Sequence, residues 1–468
     1  MSAAKENVRE DLRGRRVTVY GLGRFGGGVG VIRYLAQQGA VVSVADDANE
    51  QVLCESKREL DDVGVTKWLF ECSPDDLAGT ELLIVNPALR PTHPALLFAS
   101  EAGVPVSTEI ELFCARNQGT VVAVTGSNGK STTAAMIAHV VSTAGRGCHL
   151  GGNFGGSLLD RLSDIQASDV VVLELSSFQL SRLDASVVRP QIAVLTSFAP
   201  NHLDWHTSLD DYRKCKQRLF AGLPHESVAL LPSDEPEFDD WPCSTARAYF
   251  GSDCGEPGVY LCDGSIVFRS DHSEDAIPAW SLRTAGSHNM MNSLAAAAVC
   301  RALGIEPTAI GSALPAFPGV PMRLQVVGEF QGRTFVNDSS STTPESTIAA
   351  LSAYRRSMVL IAGGADKGVN LSEMASVAAG KAHAAIWIGK TAESLQITAE
   401  RVNPSFTQQC HQSLESAFAA AVDVSKPGDI VILSPGCASF GMYANYKQRG
   451  QHFDQLVQRL NQAELSDE

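Results

Sequence analysis

Residues 121–133 read Val-Val-Ala-Val-Thr-Gly-Ser-Asn-Gly-Lys-Ser-Thr-Thr, an apolar run that passes through two glycines into a lysine and hydroxyl residues. The apolar run predicts a buried β-strand, and the following run from Thr132 to Val141 predicts a helix. Backbone N–H groups of such a turn, and the positive end of the helix, can hold phosphate oxygens. We therefore predict a nucleoside triphosphate site in which Lys130 contacts the β- and γ-phosphates and Ser131 binds Mg²⁺.

This stretch matches a short form of the phosphate loop. The strict pattern has a further glycine where Val124 stands, so the remaining match is Gly126-x-x-Gly129-Lys130-Ser131. A plain strand-to-helix turn with a solvated lysine is therefore the alternative interpretation of these residues.

The bulk composition limits the classes of protein to which this chain can belong. With 468 residues, 44% of them hydrophobic, the chain is long enough for about three globular domains. A net charge of −15 without a basic run argues against nucleic-acid or anionic-membrane partners. Met1 to Arg13 lacks the apolar stretch of a secretory signal, and no apolar run is long enough to span a membrane. We expect a cytoplasmic monomer.

The cysteines point to the same compartment. The chain has 11 cysteines, scattered and without a Cys-x-x-Cys pair. This pattern predicts free thiols in a reducing cytoplasm, rather than a disulfide framework or a zinc site.

The amino-terminal region carries a second glycine-rich turn. A strand at Val17–Tyr20 runs into Gly21-x-Gly23-x-x-Gly26, and a second strand ends at Asp46. Taken alone, this pattern predicts an NAD-dependent dehydrogenase, because dinucleotide folds place a ribose-binding acid there. The same turn can hold the pyrophosphate of a nucleotide sugar, or serve only as a tight turn.

The middle of the chain places polar residues after predicted parallel strands. Glu174 follows an apolar strand, and Asn201-His202-Leu203-Asp204 follows another. Such positions face the crevice where open α/β sheets bind ligands. The glycine-rich run 151–155 predicts an irregular turn, and Asn289 and Asn292 fall on one face of an alanine-rich helix.

A third α/β unit follows a proline- and glycine-rich linker at 315–321, with strands predicted at 334–336, 358–361, 385–388 and 430–433. The predicted fold class is therefore α/β with three domains. These are a Rossmann-like domain over residues 1–113, a P-loop ATPase-like parallel sheet over 114–319, and a Rossmann-like domain over 320–468.

Five runs taken together resemble the Mur ligases over nearly the whole chain: 125–132, 174–180, 201–204, 288–292 and 433–440. Within the family, the Ser-Ser-Phe-Gln-Leu run at 176–180 and the Ser-Pro-x-Cys-Ala-Ser-Phe run at 434–440 are typical of the glutamate-adding branch. The resemblance implies a ligase of peptidoglycan synthesis. ATP would phosphorylate the carboxylate of UDP-N-acetylmuramoyl-L-alanine, and the amine of D-glutamate would attack the acyl phosphate.

The resemblance also implies cofactors, domain roles and site residues. The cofactors are ATP and two Mg²⁺ ions, and the three domains bind the UDP-sugar, ATP and the amino acid in chain order. The ATP-binding residues are Gly126, Ser127, Asn128, Gly129, Lys130, Ser131, Thr132, Asn289, Asn292, Arg323 and Asp338. The UDP-sugar contacts are Gly23, Arg24, Phe25, Asp46, Asn86, Asn153 and Ser176. The D-glutamate contacts are Thr342, Lys367, Ser439 and Tyr446.

The implied catalytic residues are Lys130, Glu174, His202 and Lys216, and the implied metal ligands are Ser131, Glu174, His202 and, if carbamylated, Lys216. Carbamylation requires a neutral amine, whereas an ordinary lysine with a pKa of ~10.4 is almost fully charged at pH 7. Burial or a neighbouring cation must therefore lower the pKa of Lys216. A solvated helix lysine is the alternative.

Several positions depart from the family pattern: Ser340 in place of a lysine, Met322 and Gln325 in place of a His and a Glu beside Arg323, Phe25 in place of a small hydroxyl residue, and Ala88 in place of a glycine. Three further functions therefore stay open besides the glutamate ligase. They are a sibling Mur or folate-extending ligase, a nucleotide-sugar sensor without catalysis, and the dehydrogenase.

Overall fold

The computed structural model describes residues 11–23, 27–202, 205–235, 238, 240–252, 255–282, 287–366 and 369–467. The chain forms two compact units, one of residues 1–281 with 288–317 and one of 282–287 with 318–468. The described residues form three separate β-sheets, the first two in the first unit and the third in the second unit. The expectations for Arg24, Phe25, Asp204 and Lys367 lie outside the described residues.

The first sheet is parallel with strand order β3-β2-β1-β4-β5. Its strands are β1 Arg16–Tyr20, β2 Val41–Asp46, β3 Lys67–Phe70, β4 Leu82–Val85 and β5 Val106–Ser107. The helices are α1 Gly27–Gln37, α2 Glu50–Arg58, α3 Pro94–Ala102 and α4 Glu109–Cys114. The strand order reverses direction at β1, so the glycine turn that follows β1 opens at the point where such sheets bind ligands.

The second sheet has strand order β14-β13-β12-β11-β10-β9-β6-β8-β7. Its strands are β6 Thr120–Thr125, β7 Cys148–Gly152, β8 Val170–Glu174, β9 Ile192–Leu195, β10 Val228–Pro232, β11 Ala246–Gly251, β12 Gly258–Cys262, β13 Ser265–Arg269 and β14 Glu274–Pro278. The helices are α5 Lys130–Thr143, α6 Ser177–Arg182, α7 Leu209–Ala221, α8 Ser287–Ala302 and α9 Pro307–Ala313. Strand β6 lies between β8 and β9, which places the loop after β6 at the reversal of this sheet.

The third sheet has strand order β15-β16-β20-β17-β18-β19, with only the edge strand β15 paired antiparallel. Its strands are β15 Gln325–Phe330, β16 Arg333–Asn337, β17 Met358–Gly364, β18 Ala384–Gly389, β19 Thr407–His411 and β20 Ile430–Leu433. The helices are α10 Pro344–Ala353, α11 Ser372–Lys381, α12 Ala392–Val402, α13 Leu414–Val424 and α14 Tyr446–Asp467. Short 3₁₀ turns occur at Pro74–Leu77, Leu159–Asp164 and Leu314–Ala316.

Within the first unit, hydrogen bonds link the first two sheets. Glu111 of α4 accepts the N–H of Asp184, at 2.8 Å. The Arg182 side chain at the end of α6 donates to the carbonyl of Leu89. The first contact connects α4 to the segment after α6, and the second connects α6, which follows Glu174, to the loop that follows β4.

Two findings in the described part of the chain concern its helices and its cysteines. None of the described helices combines the length and apolarity that crossing a bilayer requires. The ten cysteines that the structure describes are all free thiols. The α/β fold class and its three sheet-bearing domains are confirmed, whereas the exact domain boundaries stay a prediction.

The expectation of an irregular turn over 151–155 was wrong for its first two residues. Gly151 and Gly152 belong to β7 and pair with Leu173 and Glu174 of β8. A Cβ at Gly151 would lie 2.5 Å from Cγ of Leu158, and one at Gly152 would collide with the backbone carbonyl of Glu174. The glycines therefore allow β7 to pack closely. The strands β3, β10, β15 and β19 were also not predicted.

Gly152→Ala should destabilise the first unit more than Gly156→Ala. The two glycines have nearly the same φ, 89° and 87°, but a Cβ at Gly156 meets nothing within 4 Å. Both substitutions carry the strain of a positive φ, about 1–2 kcal/mol. Only Gly152→Ala adds a backbone collision, of order 1–3 kcal/mol for overpacking. Urea unfolding of both variants measures the difference, and equal midpoints would contradict the steric explanation.

Candidate functional site

The loop after β6 is shaped by its two glycines. Gly126 and Gly129 have φ values of 153° and 81°, which favour glycine. A Cβ at Gly126 would collide with the hydroxyl of Thr196, and one at Gly129 with the amide oxygen of Asn292. Helix α8 therefore packs directly against this loop, and Asn292 lies beside it as expected.

Asn289 and Asn292 are both buried and bonded to each other, with Asn292 Nδ2 donating to Asn289 Oδ1 at 3.3 Å. Asn292 Oδ1 also accepts the hydroxyl of Thr133 in the first turn of α5, at 3.4 Å. The two asparagines predicted on one helical face thus face the start of the helix that follows the loop.

Two lysines share one carbonyl of the loop. Lys130 Nζ donates to the carbonyl oxygens of Gly126 at 3.0 Å and Ser127 at 2.9 Å. Lys216 Nζ, from α7, donates to the same Gly126 oxygen at 2.7 Å. The residue Lys216 is 1% exposed, and its Nζ lies 4.6 Å from the centre of the Tyr212 ring.

This environment makes Lys216 unusual for a lysine. Burial lowers its pKa well below the ordinary value, and the charge of Lys130 lowers that pKa further. Glu174 acts in the opposite direction, but does not outweigh burial. The sequence-based requirement that burial or another cation lower the pKa of Lys216 is therefore met by both causes. Whether the amine is carbamylated stays a prediction.

Glu174 ends β8, directly beside the strand that carries the loop, because Glu174 pairs with Val124 of β6. It is 1% exposed. One carboxylate oxygen, Oε1, accepts the side-chain amide of Asn153 at 3.0 Å, whereas the buried Oε2 has no hydrogen-bond partner among the residues that the structure describes. An unsatisfied buried carboxylate oxygen is costly.

A divalent cation would satisfy that oxygen, because Mg²⁺ prefers carboxylate and other oxygen ligands. Ser131, the other implied ligand of the first ion, is buried in the first turn of α5. The residues present therefore fit a bound Mg²⁺.

Two N–H groups of the loop are not directed as the phosphate-loop pattern suggested. The N–H of Ser127 donates to the carbonyl of Ser197 at 2.9 Å, and that of Asn128 donates to the Ser197 hydroxyl at 2.9 Å. Because the residues after β9 hold these donors, the N–H groups at the start of α5 are left to meet phosphate oxygens.

His202, the fourth implied catalytic residue, lies in the segment after β9. It is exposed and has a φ of 54°, an uncommon conformation for a non-glycine residue. Its ring centre lies 4.9 Å from that of Phe178 in α6. His202 is thereby held close to the helix that follows Glu174.

The UDP-sugar candidates of the first sheet come together where β1, β2 and β4 end. The N–H of Gly23 donates to Asp46 Oδ2 at 3.4 Å, and Oδ1 of the same carboxylate accepts the N–H of Ala48 at 2.9 Å. A Cβ at Gly21 would lie 2.6 Å from Cβ of Asn86. Gly23, Asp46 and Asn86 therefore line one edge of the sheet, as the parallel order predicts.

A cleft of about 430 Å³ opens beside these residues. It is lined by Asp47, Ala88, Leu89, Arg90, Thr92, His93 and Pro94. The Asp47 carboxylate accepts the hydroxyl of Tyr20 at 2.6 Å and contacts His93 Nε2 at 3.0 Å. The sequence did not point to Asp47 or His93. Asp47 directly follows Asp46, the last residue of β2, and His93 lies in the loop after β4 that begins with Asn86.

Asn153 and Ser176 have local partners. The Asn153 amide donates to Glu174, and the hydroxyl of Ser176 accepts the N–H of Gln179 at 3.3 Å as the N-cap of α6. Their contacts with the UDP-sugar stay predictions.

In the second unit, Asp338 lies at the ends of two paired strands. It follows β16, and Ser434 follows β20, whose Leu433 pairs with Asn337. The Asp338 carboxylate accepts the Ser341 hydroxyl at 2.6 Å, the Ser434 hydroxyl at 2.7 Å and the N–H of Leu324 at 3.0 Å. Burial raises its pKa to about 6 in spite of these donors.

A buried arginine that the sequence did not point to connects the loops of this region. Arg449 in α14 is 1% exposed and donates to the Ser339 carbonyl at 3.0 Å, the Ser339 hydroxyl at 3.1 Å and the Cys437 carbonyl at 3.1 Å. Ser439 is buried next to this contact, and the Tyr446 carbonyl accepts the Ser339 hydroxyl at 2.8 Å.

Of the remaining candidates in this unit, Arg323 is exposed and Thr342 is half-buried. The positive charge of Arg323 acts to lower the pKa of Asp338, although burial outweighs this effect. The structure thus places Thr342, Ser439 and Tyr446 on segments joined by Arg449 and Asp338, and their contacts with an amino acid stay predictions.

Three departures from the family pattern contact one another. Gln325 Oε1 accepts the N–H of Met322 at 2.9 Å, and the Met322 carbonyl accepts the N–H of Ser340 at 3.0 Å. A Cβ at Gly450 would lie 2.6 Å from the Met322 sulfur, so this methionine packs on α14. Met322, Gln325 and Ser340 therefore form one connected set of contacts.

Asp338→Asn should change how stability depends on pH. In the folded chain, the Asp338 pKa is about 6, above its ordinary value of 3.8. The protonated form is thus favoured by folding, so this stabilisation is present below about pH 4 and is lost as pH rises through 6. Unfolding measured from pH 4 to 7 should therefore show a smaller decrease in stability for Asp338→Asn than for the wild type. Parallel curves would contradict this prediction.

Three family models match successive parts of the chain. They are "Mur ligase MurD-like, N-terminal domain" over residues 15–108, "Mur ligase middle domain" over 124–300 and "Mur ligase, glutamate ligase domain" over 322–437.

Among curated relatives, two are named UDP-N-acetylmuramoylalanine--D-glutamate ligase and come from Alkaliphilus oremlandii and a Roseiflexus species. The first is 34% identical over 92% of this chain and 96% of its own length, and the second is 35% identical over 96% and 99%. Among solved structures, UDP-N-acetylmuramate-alanine ligase from Thermotoga maritima shares the fold, with a TM-score of 0.58 at 17% identity, covering 97% of this chain and 100% of that one. The chain therefore belongs to the Mur ligase family, within the group whose curated members are named UDP-N-acetylmuramoylalanine--D-glutamate ligase.

Proposed function

We propose that this protein joins D-glutamate to UDP-N-acetylmuramoyl-L-alanine, with ATP converted to ADP and phosphate. Membership of the family makes it an ATP-dependent ligase that forms amide bonds. The relatives named for the D-glutamate reaction match over more than nine-tenths of the chain, which supports the choice of substrates. One observation carries the proposal. The buried Oε2 of Glu174 has no hydrogen-bond partner in the described chain, and it lies beside a loop whose Gly126 carbonyl accepts hydrogen bonds from Lys130 and Lys216.

Lys130 has a direct role in this proposal. Its ammonium group now bonds two neutral carbonyl oxygens of the loop. Phosphate oxygens are stronger acceptors for an ammonium, because charge-assisted hydrogen bonds are about twice as strong as neutral ones. Binding of ATP would therefore draw Lys130 away from these carbonyl oxygens and towards the phosphates, while Lys216 keeps its hydrogen bond to the Gly126 carbonyl.

Ser131 and Glu174 would hold one Mg²⁺, and His202 with a carbamylated Lys216 would hold the second. When bound, these ions neutralise charge on the phosphates and on the acyl oxygen of the substrate. Burial of Lys216 lowers its pKa and so favours the neutral amine that carbamylation needs. The product carries carboxylate-like oxygens, which suit Mg²⁺.

The chemistry explains why such a site is needed. An amine does not react readily with a carboxylate, because the carboxylate has no good leaving group. Phosphorylation supplies one, and the amine of D-glutamate then attacks the acyl phosphate. The protein mainly positions the reactants and stabilises charge, and Lys130 contributes to both.

Several finer points stay predictions. Among the contacts, these are the UDP-sugar contacts at Gly23, Asp46 and Asn86 and the amino-acid contacts in the second unit. Among the wider properties, they are the monomeric state, the cytoplasmic location, the lack of nucleic-acid or membrane partners, and the role in cell shape and division. A sibling ligase that adds another amino acid is the second candidate. Family membership replaces the dehydrogenase hypothesis.

The direct test is phosphate release from ATP with UDP-N-acetylmuramoyl-L-alanine and D-glutamate, L-glutamate, a diamino acid or no amino acid. We expect release that requires D-glutamate. Release that requires another amino acid would support the sibling ligase, and no release with any of them would favour a non-catalytic sensor.

Lys130→Ala should lower turnover by at least about 100-fold, because a stabilising charge at the phosphates is lost. The residues that contact the UDP-sugar are predicted on other strands, so binding of UDP-N-acetylmuramoyl-L-alanine should be retained. Steady-state kinetics and calorimetric titration of the nucleotide sugar measure these two effects. Loss of both would contradict the predicted division of roles between the first two sheets.

Lys216→Ala should be inactive, and a small carboxylate such as acetate should partly restore turnover by supplying the missing oxygen ligand. Lys214→Ala is the matched control, because Lys214 lies in the same helix but is exposed and paired with Asp210. Its activity should be close to that of the wild type. If no carboxylate restores Lys216→Ala over a wide concentration range, the carbamate hypothesis is wrong.

A further inference from the structure

A second group of possible metal ligands lies at the start of α7, apart from the residues assigned to Mg²⁺. It consists of His206, Asp211 and Cys215, whose ligand atoms all lie within 4.8 Å of one another. His206 Nδ1 is 3.4 Å from Asp211 Oδ2 and 3.9 Å from Cys215 Sγ.

The local fold brings these residues together. Asp211 and Cys215 are four residues apart in α7, so they share one helical face. The N-cap Ser208 accepts the N–H of Asp211 at 3.1 Å. The N–H of Thr207 donates to Asp211 Oδ2 at 3.2 Å, which orients the carboxylate towards His206.

The imidazole of His206 is fixed from its other side. It is fully buried, stacks on Phe178 at 5.9 Å with an interplanar angle of 4°, and its Nε2 lies 2.9 Å from the Ser177 hydroxyl. A metal-bound histidine usually donates its second ring N–H to an oxygen in this way. In the tautomer in which Nε2 carries the proton and donates it to the Ser177 hydroxyl, Nδ1 has a lone pair on the side where Asp211 and Cys215 lie.

The spacing suits a tetrahedral ion. Zn²⁺ bound by nitrogen, oxygen and sulfur at ordinary distances separates nitrogen from oxygen by about 3.3 Å and nitrogen from sulfur by about 3.5 Å. The distances from His206 Nδ1 of 3.4 Å to Asp211 Oδ2 and 3.9 Å to Cys215 Sγ are close to these values, and all three ligand atoms lie within 4.8 Å of one another. The Asp211 side chain is 42% exposed, so an ion can reach the group from solvent.

We propose that His206, Asp211 and Cys215 bind one zinc-type divalent cation, with water as the fourth ligand. Thiolate and imidazole favour such a metal over Mg²⁺, which prefers oxygen ligands. On binding, the Cys215 thiol releases its proton to solvent as the sulfur–metal bond forms. The absence of a cysteine pair predicted no zinc site, but this site needs only one cysteine.

The position of the site suggests a consequence for the neighbouring lysine. Cys215 directly precedes Lys216, and His206 follows the segment that contains His202. A bound ion would therefore fix the segment before α7 to the first two turns of the helix that carries Lys216. The proposal does not depend on the identity of the amino-acid substrate.

Co²⁺ is the probe, because a thiolate ligand gives it a charge-transfer band in the near ultraviolet and tetrahedral geometry gives intense visible bands. We expect the full chain, freed of metal by a chelator and kept in excess Mg²⁺, to bind one Co²⁺ with both features, and Zn²⁺ to displace it. Cys215→Ala should lose the charge-transfer band, whereas the exposed-cysteine control Cys410→Ala should keep it. His206→Gln and Asp211→Asn should weaken Co²⁺ binding by about tenfold or more.

The same band in Cys215→Ala, or no thiolate band in the wild type, would overturn the proposal. The charge-transfer band of the wild type alone tests the site without any folding defect of a variant.

Discussion

The arrangement around the phosphate loop depends on one carbonyl, that of Gly126, which accepts hydrogen bonds from both Lys130 and Lys216. Two amines at one buried oxygen cannot both carry a full charge without a large cost, so the more buried Lys216 yields its proton more readily. The glycine at this position has no Cβ, which lets Thr196 approach the loop. Gly126 therefore determines both the shape of the loop and the environment of the two lysines.

Both candidate nucleotide sites follow the same rule of sheet topology. Strand β1 lies between β2 and β4, and strand β6 lies between β8 and β9. In each sheet, the loop at the reversal of strand order carries the glycines, and an acidic residue ends the neighbouring strand, Asp46 in the first sheet and Glu174 in the second. The Asp46 carboxylate accepts a loop N–H, that of Gly23. The Glu174 carboxylate has an oxygen, Oε2, that could bind a cation.

Local patterns were sufficient to predict the three α/β domains, the loop after β6 and the position of Glu174, because strand periodicity and glycine spacing lie within short segments. Contacts between distant segments were not predictable in this way. Ser197 takes two N–H groups of the loop, Arg449 joins loops after two strands, and Gly152 packs on Glu174. Each of the three includes a contact between residues more than 20 positions apart in the chain, which no local period encodes.

The central claim is that burial and the neighbouring Lys130 lower the pKa of Lys216 enough for its amine to be carbamylated. It is tested most directly by ¹³C NMR of the protein in ¹³C-bicarbonate near neutral pH. A carbamate resonance that is present in the wild type and in Lys214→Arg, and absent in Lys216→Arg, is the expected result. No carbamate resonance in the wild type, or one that persists in Lys216→Arg, would contradict the claim.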